Sequence, residues 1–179
     1  MRVILFSGVR SERLNRDLPP VAEEMTEVYL RLTELPTFDS ISIQHKRNTA
    51  EKSMTLELRL SSSRGSGTWG VEDGVLNGQA LNAIQLVPYF VFSRYHEEPL
   101  LDLLLLDDPT QAFDSRKIEL LLEELSKAAS HATLLVATHE EDKFLPLLNK
   151  YFSSNETKVL RTLPIGEDGP QLENVSIAL

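Results

Sequence analysis

The sequence contains no cysteine, which removes disulfides and thiolate metal sites from consideration. Long apolar runs are missing too. Leu103 to Leu106, the longest stretch of large aliphatic side chains, is far too short to cross a bilayer. Val3-Ile4-Leu5-Phe6 is shorter than the apolar region of a secretory signal. Both absences predict a cytoplasmic protein with no membrane partner. Positive charge is scarce: 18 Lys and Arg stand against 27 Asp and Glu, a formal net charge of -9. A chain that held nucleic acid by itself would need the opposite surplus to neutralise phosphates. The compact basic cluster His45-Lys46-Arg47 reads as a solvated turn between two strands. No Gly-x-x-x-x-Gly-Lys-[Ser/Thr] occurs either. Gly65-Ser66-Gly67-Thr68-Trp69-Gly70 is glycine-rich but lacks the lysine that reaches a nucleotide's β- and γ-phosphates.

What remains is an ordinary globular composition: 179 residues, 41% hydrophobic and 25% charged, enough for one domain with a real core. Val21, Ala22, Met25, Val28, Tyr29 and Leu32 follow helical spacing, predicting a helix over 19–35 with Pro19 and Pro20 in its first turn and Pro36 as its stop. Ile41 and Ile43, then Met54, Leu56, Leu58 and Leu60, alternate with polar residues as half-buried strands do. The Ser- and Gly-rich stretch from Ser61 to Gly74 reads as a mobile loop. A helix is expected from about Asn77 to Tyr95, with a kink at Pro88.

Leu100 to Leu106 is apolar except at Asp102, which predicts a strand buried on both faces in a parallel sheet. Asp114 or Ser115 can cap the next helix, whose inner face is Ile118, Leu121, Leu122, Leu125 and Ala128. Leu134 to Val136 form another buried strand, a helix follows from about Glu141 to Phe152, and Lys158–Leu163 and Val175–Leu179 complete the set as strands. This order predicts a single α/β domain over residues 1–179, with a mostly parallel sheet and flanking helices.

Three segments carry chemistry. In Leu103-Leu104-Leu105-Leu106-Asp107-Asp108-Pro109-Thr110-Gln111-Ala112-Phe113-Asp114 a buried strand ends in adjacent carboxylates. Charges are costly in a core, but at the carboxyl edge of a parallel sheet they meet the crevice where α/β folds bind ligands. Paired acids there can hold Mg²⁺ and orient a water; an exit into an acidic turn is the alternative. About 20 residues on, Thr138-His139-Glu140 follows the next buried strand, and neighbouring parallel strands would bring His139 to the same crevice. His45, His96 and His131 have no such setting and read as structural. Upstream, Asn77-Gly78-Gln79 opens a helix whose backbone N–H groups can face an anion; an ordinary Asn-Gly turn is the alternative.

Taken in order, these segments resemble the signature, Walker B, D-loop and H-loop of an SMC/SbcC-like ABC-type ATPase head, over about Val75 to Phe144. The Leu81-Asn82-Ala83 continuation is similar to such heads as well. More softly, residues 1–35 resemble a helical re-entry from a coiled coil, with strands and a loop over 36–74 and the α/β core over 75–179. The resemblance implies ATP and Mg²⁺ as cofactors. Asp107 would be the metal-associated acid, Asp108 the group that polarises the attacking water and His139 the γ-phosphate contact. Asn77, Gly78 and Gln79 would contact nucleotide, and Asp114 would be the D-loop residue at a dimer interface. Departures are visible. Asp108 is one methylene shorter than the usual Glu, so either the water sits closer or hydrolysis is slow. Asn77 replaces serine, Gln79-Ala80 replaces Gly-Gln, and Phe113 replaces leucine.

With no Walker A loop, the resemblance implies the C-terminal lobe of a P-loop ATPase head, with negligible ATP affinity alone. Its expected partners are an N-terminal lobe carrying Walker A, a second head in a head-to-head homodimer, and DNA through the full complex in repair or chromosome maintenance. An ABC transporter fragment and a catalytically decayed dimerisation module are the alternatives.

Overall fold

The computed structural model describes residues 2–6, 11–34, 37–48, 53–94, 103–153, 157–163, 169 and 171–175. The chain forms β1 (Arg2–Phe6), α1 (Ser11–Thr33), β2 (Ser40–Asn48), β3 (Ser53–Ser61), β4 (Thr68–Gly70), α2 (Gly78–Arg94), β5 (Leu103–Asp107), α3 (Ser115–Ala129), β6 (Thr133–Ala137), α4 (Glu141–Tyr151), β7 (Val159–Thr162) and β8 (Leu172–Val175). A single 3-10 turn, Val71–Asp73, links β4 to the approach of α2.

β1, β2 and β4 all pair antiparallel with β3. The apolar side chains of α1 close against this sheet: Met25, Tyr29 and Leu32 are fully buried, as is Leu60 of β3. Thr26 fastens the helix to the strand, its hydroxyl donating to the Ala22 carbonyl and accepting from the Ile41 N–H at 3.0 Å. The same core runs on through Ile84, Val87 and Phe90 of α2 into Ile118, Leu121, Leu122 and Leu125 of α3. At full burial each such aliphatic side chain stabilises the fold by roughly 2–3 kcal/mol. Where the three helices meet, the carboxylate of Glu124, 1% exposed, receives Arg31 of α1 at 2.6 Å, Arg94 of α2 at 2.5 Å and Lys127 at 2.8 Å. That pairing is what makes a buried charge tolerable.

Several expectations need correction. Among the described residues the mostly parallel sheet is reduced to one pair, β5 and β6, in register from Leu103 opposite Thr133 to Asp107 opposite Ala137. The four-stranded sheet is antiparallel, and so is β7 with β8. Nor is β5 buried on both faces. Leu104 and Leu106 turn inward, while Leu103 (43% exposed) and Leu105 (64%) face outward beside Leu135 (61%). α1 starts at Ser11, so Pro19 and Pro20 lie inside it rather than in its first turn. It ends at Thr33, with Glu34 at φ 57; Pro36 lies outside the described residues. The segment read as a mobile loop contains β4, with Trp69 tilted against Phe38 at 5.2 Å. His45-Lys46-Arg47 belongs to β2 instead of a turn. The last strand is shifted to Leu172–Val175, and residues 176–179 lie outside the described residues.

Candidate functional site

The site is assembled at the carboxyl ends of the parallel pair. Asp107 is the last residue of β5, exposed, and on the same outward face as Leu103 and Leu105. Asp108 follows with φ 46, a left-handed conformation uncommon for a residue with a side chain. Its N–H donates to the Ala137 carbonyl at 2.7 Å, so the chain turns while still bonded to β6.

That turn brings Asp108 to His139. The Nδ1 of His139 lies 3.2 Å from Asp108 Oδ2. The other carboxylate oxygen, Oδ1, is held from inside. Thr110 Oγ1 lies 3.1 Å from it, Thr138 Oγ1 lies 3.4 Å from it, and the two hydroxyls are 2.9 Å apart. Each hydroxyl has one proton to give. The assignment that uses the shorter contact to Asp108 is a relay: Glu140 N–H donates to Thr138, Thr138 to Thr110, and Thr110 to Asp108; the reverse order of the two hydroxyls serves the same carboxylate oxygen. With Nδ1 engaged, the Nε2 of His139 is left to meet a ligand, and the ring is 74% exposed. The arrangement is an oriented imidazole on an anchored carboxylate, able to polarise a water or to contact an anionic oxygen.

The start of α2 lies against this turn. Asn77 Oδ1 accepts from Ala80 N–H at 2.8 Å, capping the helix. Beside it, a methyl group placed on Gly78 would lie 3.8 Å from the Ala112 side chain. Gln79 carries a buried amide nitrogen that has no hydrogen-bond partner. Asp114 caps α3 by accepting from Lys117 N–H at 3.0 Å. Those bonds, and the Lys117 ammonium, hold its carboxyl below the usual aspartate range.

The sequence therefore named both members of the Asp108–His139 pair. It missed Thr110 and Thr138, which hold the carboxylate, and Asn82, whose amide reaches two carbonyls of the turn. The available signals were small: hydroxyls within two residues of each named residue, and an asparagine one turn into a largely apolar helix. Among the described residues no group of three or more potential ligands could hold a metal ion alone. Mg²⁺ commonly takes only one or two carboxylates and completes its shell with waters and phosphates, so the exposed Asp107 beside Asp108 fits that smaller demand.

Structural comparison places the fold among known ones. One match, described as the structural biochemistry of ATP-driven dimerization and DNA-stimulated activation of SMC ATPases, has a TM-score of 0.59 and 14% identity, over 94% of this chain and 91% of that one. A second, an Smc head bound to the C-winged helix domain of ScpA, gives 0.63 and 15%, over 96% of this chain and 48% of that one. A third, the Pyrococcus furiosus Smc head with an extended coiled coil bound to the C-terminal domain of ScpA, gives 0.62 and 13%, over 92% and 37%. The fold is that of an SMC head. This chain spans under half the length of the second and third SMC-head structures. No family model matches the sequence, and no curated protein matches it. No helix among the described residues of this SMC-head fold is long and apolar enough to cross a membrane.

Proposed function

We propose that this chain is the C-terminal lobe of an SMC-like ATPase head. Completed by a lobe carrying the Walker A loop, it dimerises head to head around ATP and Mg²⁺ and couples hydrolysis to DNA repair or chromosome maintenance. The observation that carries the reading is the Asp108–His139 contact at the carboxyl rim of a parallel pair. Its outward face, Leu103, Leu105 and Leu135, is bare. A parallel sheet requires cover on both faces, and an apolar face beside a polar rim suits a second lobe that brings a phosphate-binding loop.

In this reading Asp108 takes a proton from the attacking water, and His139, as an imidazolium whose Nδ1–H faces Asp108, donates its Nε2–H to the γ-phosphate where charge builds in a loose transition state. Asp107 would hold Mg²⁺, which supplies charge neutralisation at the phosphate oxygens. The capped helix start at Asn77, Gly78 and Gln79 would face the nucleotide of the opposing head, with Asp114 near that interface. The net charge of -9 assigns DNA contacts to other parts of the complex. A decayed dimerisation module is the second reading. It is favoured by Asp108 itself, one methylene short of the usual Glu and engaged at both oxygens within its own rim. A transporter-type fragment draws no support from the matched heads.

The test is to supply a Walker A-bearing lobe and measure phosphate release. The completed head should turn over, Asp108→Asn should lower turnover by about 10²–10⁴-fold, and the chain alone should bind ATP negligibly. Equal turnover with and without the carboxylate would overturn the catalytic assignment. A completed head that never turns over would favour the module.

A further inference from the structure

The turn that presents Asp108 is strained at both ends. Asp108 has φ 46 and Ala112 has φ 65, and both carry a side chain that disfavours this region. Such a conformation persists only where surrounding contacts over-determine it. Within the turn, the Gln111 N–H donates to the Asp108 carbonyl at 3.1 Å and the Phe113 N–H to the Thr110 carbonyl at 3.0 Å. Neither bond ties the turn to the rest of the protein. The Asp108 N–H bond to Ala137 and the Thr110–Thr138 contact tie its first half to β6, and a second tie comes from α2. The side-chain nitrogen of Asn82 lies 3.0 Å from the Pro109 carbonyl and 2.6 Å from the Gln111 carbonyl. Both amide protons are thus spent on the backbone between the two left-handed residues. One helical turn earlier on α2, Gly78 lies against Ala112.

We propose that Asn82 is a positioning residue: its amide clamps the strained turn to the start of α2, and thereby fixes the Asp108 carboxylate against His139 and couples that pair to whatever engages Asn77 and Gly78. The inference deepens the ATPase reading and rests on it for its catalytic consequence, but the clamp itself is a property of this chain. Aspartate has the same shape but would set oxygens against two carbonyls, and alanine leaves both carbonyls without donors.

The experiment has two readouts, so that failure of the clamp and failure of the ATPase reading are distinct. In the full chain, amide hydrogen exchange at Asp108, Gln111 and Phe113 and the imidazole nitrogen resonances of His139 are compared in wild type, Asn82→Ala, Asn82→Asp and the double variant Asn82→Ala with Ala112→Gly. Two lost hydrogen bonds should speed exchange on the order of tenfold, and the His139 resonances should move. Glycine accepts φ 65 without the side-chain penalty, so the double variant should recover most of both. Unchanged exchange in Asn82→Ala overturns the clamp, and so does a double variant no better than the single. In the completed head, Asn82→Ala should lower kcat several-fold with KM for ATP unchanged, and Ala112→Gly should restore it. A wild-type head without turnover would count against the ATPase reading while the exchange data still decide the clamp.

Discussion

The two sheets that flank the helices are written in the same apolar vocabulary but end in opposite states. In the antiparallel sheet Leu56, Leu58 and Leu60 are all buried, the last completely. In the parallel pair Leu103, Leu105 and Leu135 stand in solvent. α1 supplies cover for the first; α3 packs against β6 on one face of the second, and no described element covers the other. The difference teaches that an aliphatic run states how much cover a strand needs, and leaves open which polypeptide provides it. Paired substitutions give the largest contrast. Leu60→Ala should cost about 2–5 kcal/mol, as deletions in closed cores do, whereas Leu135→Ser should change stability by no more than about 0.5 kcal/mol. Denaturant midpoints measure both. Equal losses would break the comparison and show that the open face is covered within this chain.

The next effect lies where the halves are joined. Glu124 sits on α3, under the parallel pair, yet its carboxylate binds Arg31 of α1 and Arg94 of α2. Removing it should cost roughly 3 kcal/mol, because three cations lose a partner that is itself wholly buried. Arg31 is 40% exposed, and its replacement by alanine should cost no more than about 1 kcal/mol, as solvent screens what remains. A thermal or denaturant series on the two variants checks that order. If Arg31→Ala costs as much as Glu124→Ala, the joint is carried by α1 and the two halves are less independent than their burial implies.

Much of this was legible beforehand, for identifiable reasons. Helical spacing announced α3 and its inner face because Ile118, Leu121, Leu122 and Leu125 have one partner surface and one period. Asp108 and His139 stand out because an acid pair at the end of an aliphatic strand is costly unless something uses it, and because the segments around both resemble the Walker B and H-loop of ABC-type heads, which neither residue says alone. What was not legible depends on contacts distant in sequence. The main sheet is antiparallel through all three of its pairings with β3, and its edge strand β1, five residues long, carries too short a pattern to announce that it joins. The bare face of β5 could not be read, since inward and outward leucines are the same residue. Prolines 19 and 20 misled in the other direction, because packing along α1 outweighs the hydrogen bonds they forgo.

The smallest effect tests how the turn is fastened to the second half. Asp114 accepts the Lys117 N–H at the start of α3, and the Lys117 ammonium also lies 3.6 Å from Glu34 at the end of α1. Because the bonds to Lys117 depress the folded-state pKa of Asp114, its contribution is present above the unfolded aspartate pKa and is lost as pH falls through the depressed value. Asp114→Ala should therefore cost about 1 kcal/mol at neutral pH, the ordinary worth of a cap, and progressively less in acid. Asp114→Asn keeps the acceptor and removes the titration, so it should cost only a few tenths of a kcal/mol at neutral pH and show no acid-side slope of its own. Urea midpoints of the three proteins at neutral pH and below about 3.9, the unperturbed aspartate value, separate cap from charge. If asparagine loses as much as alanine, the carboxylate holds this seam through its charge on Lys117. The junction between the two halves would then be electrostatic where the rest of α3 is held by apolar burial.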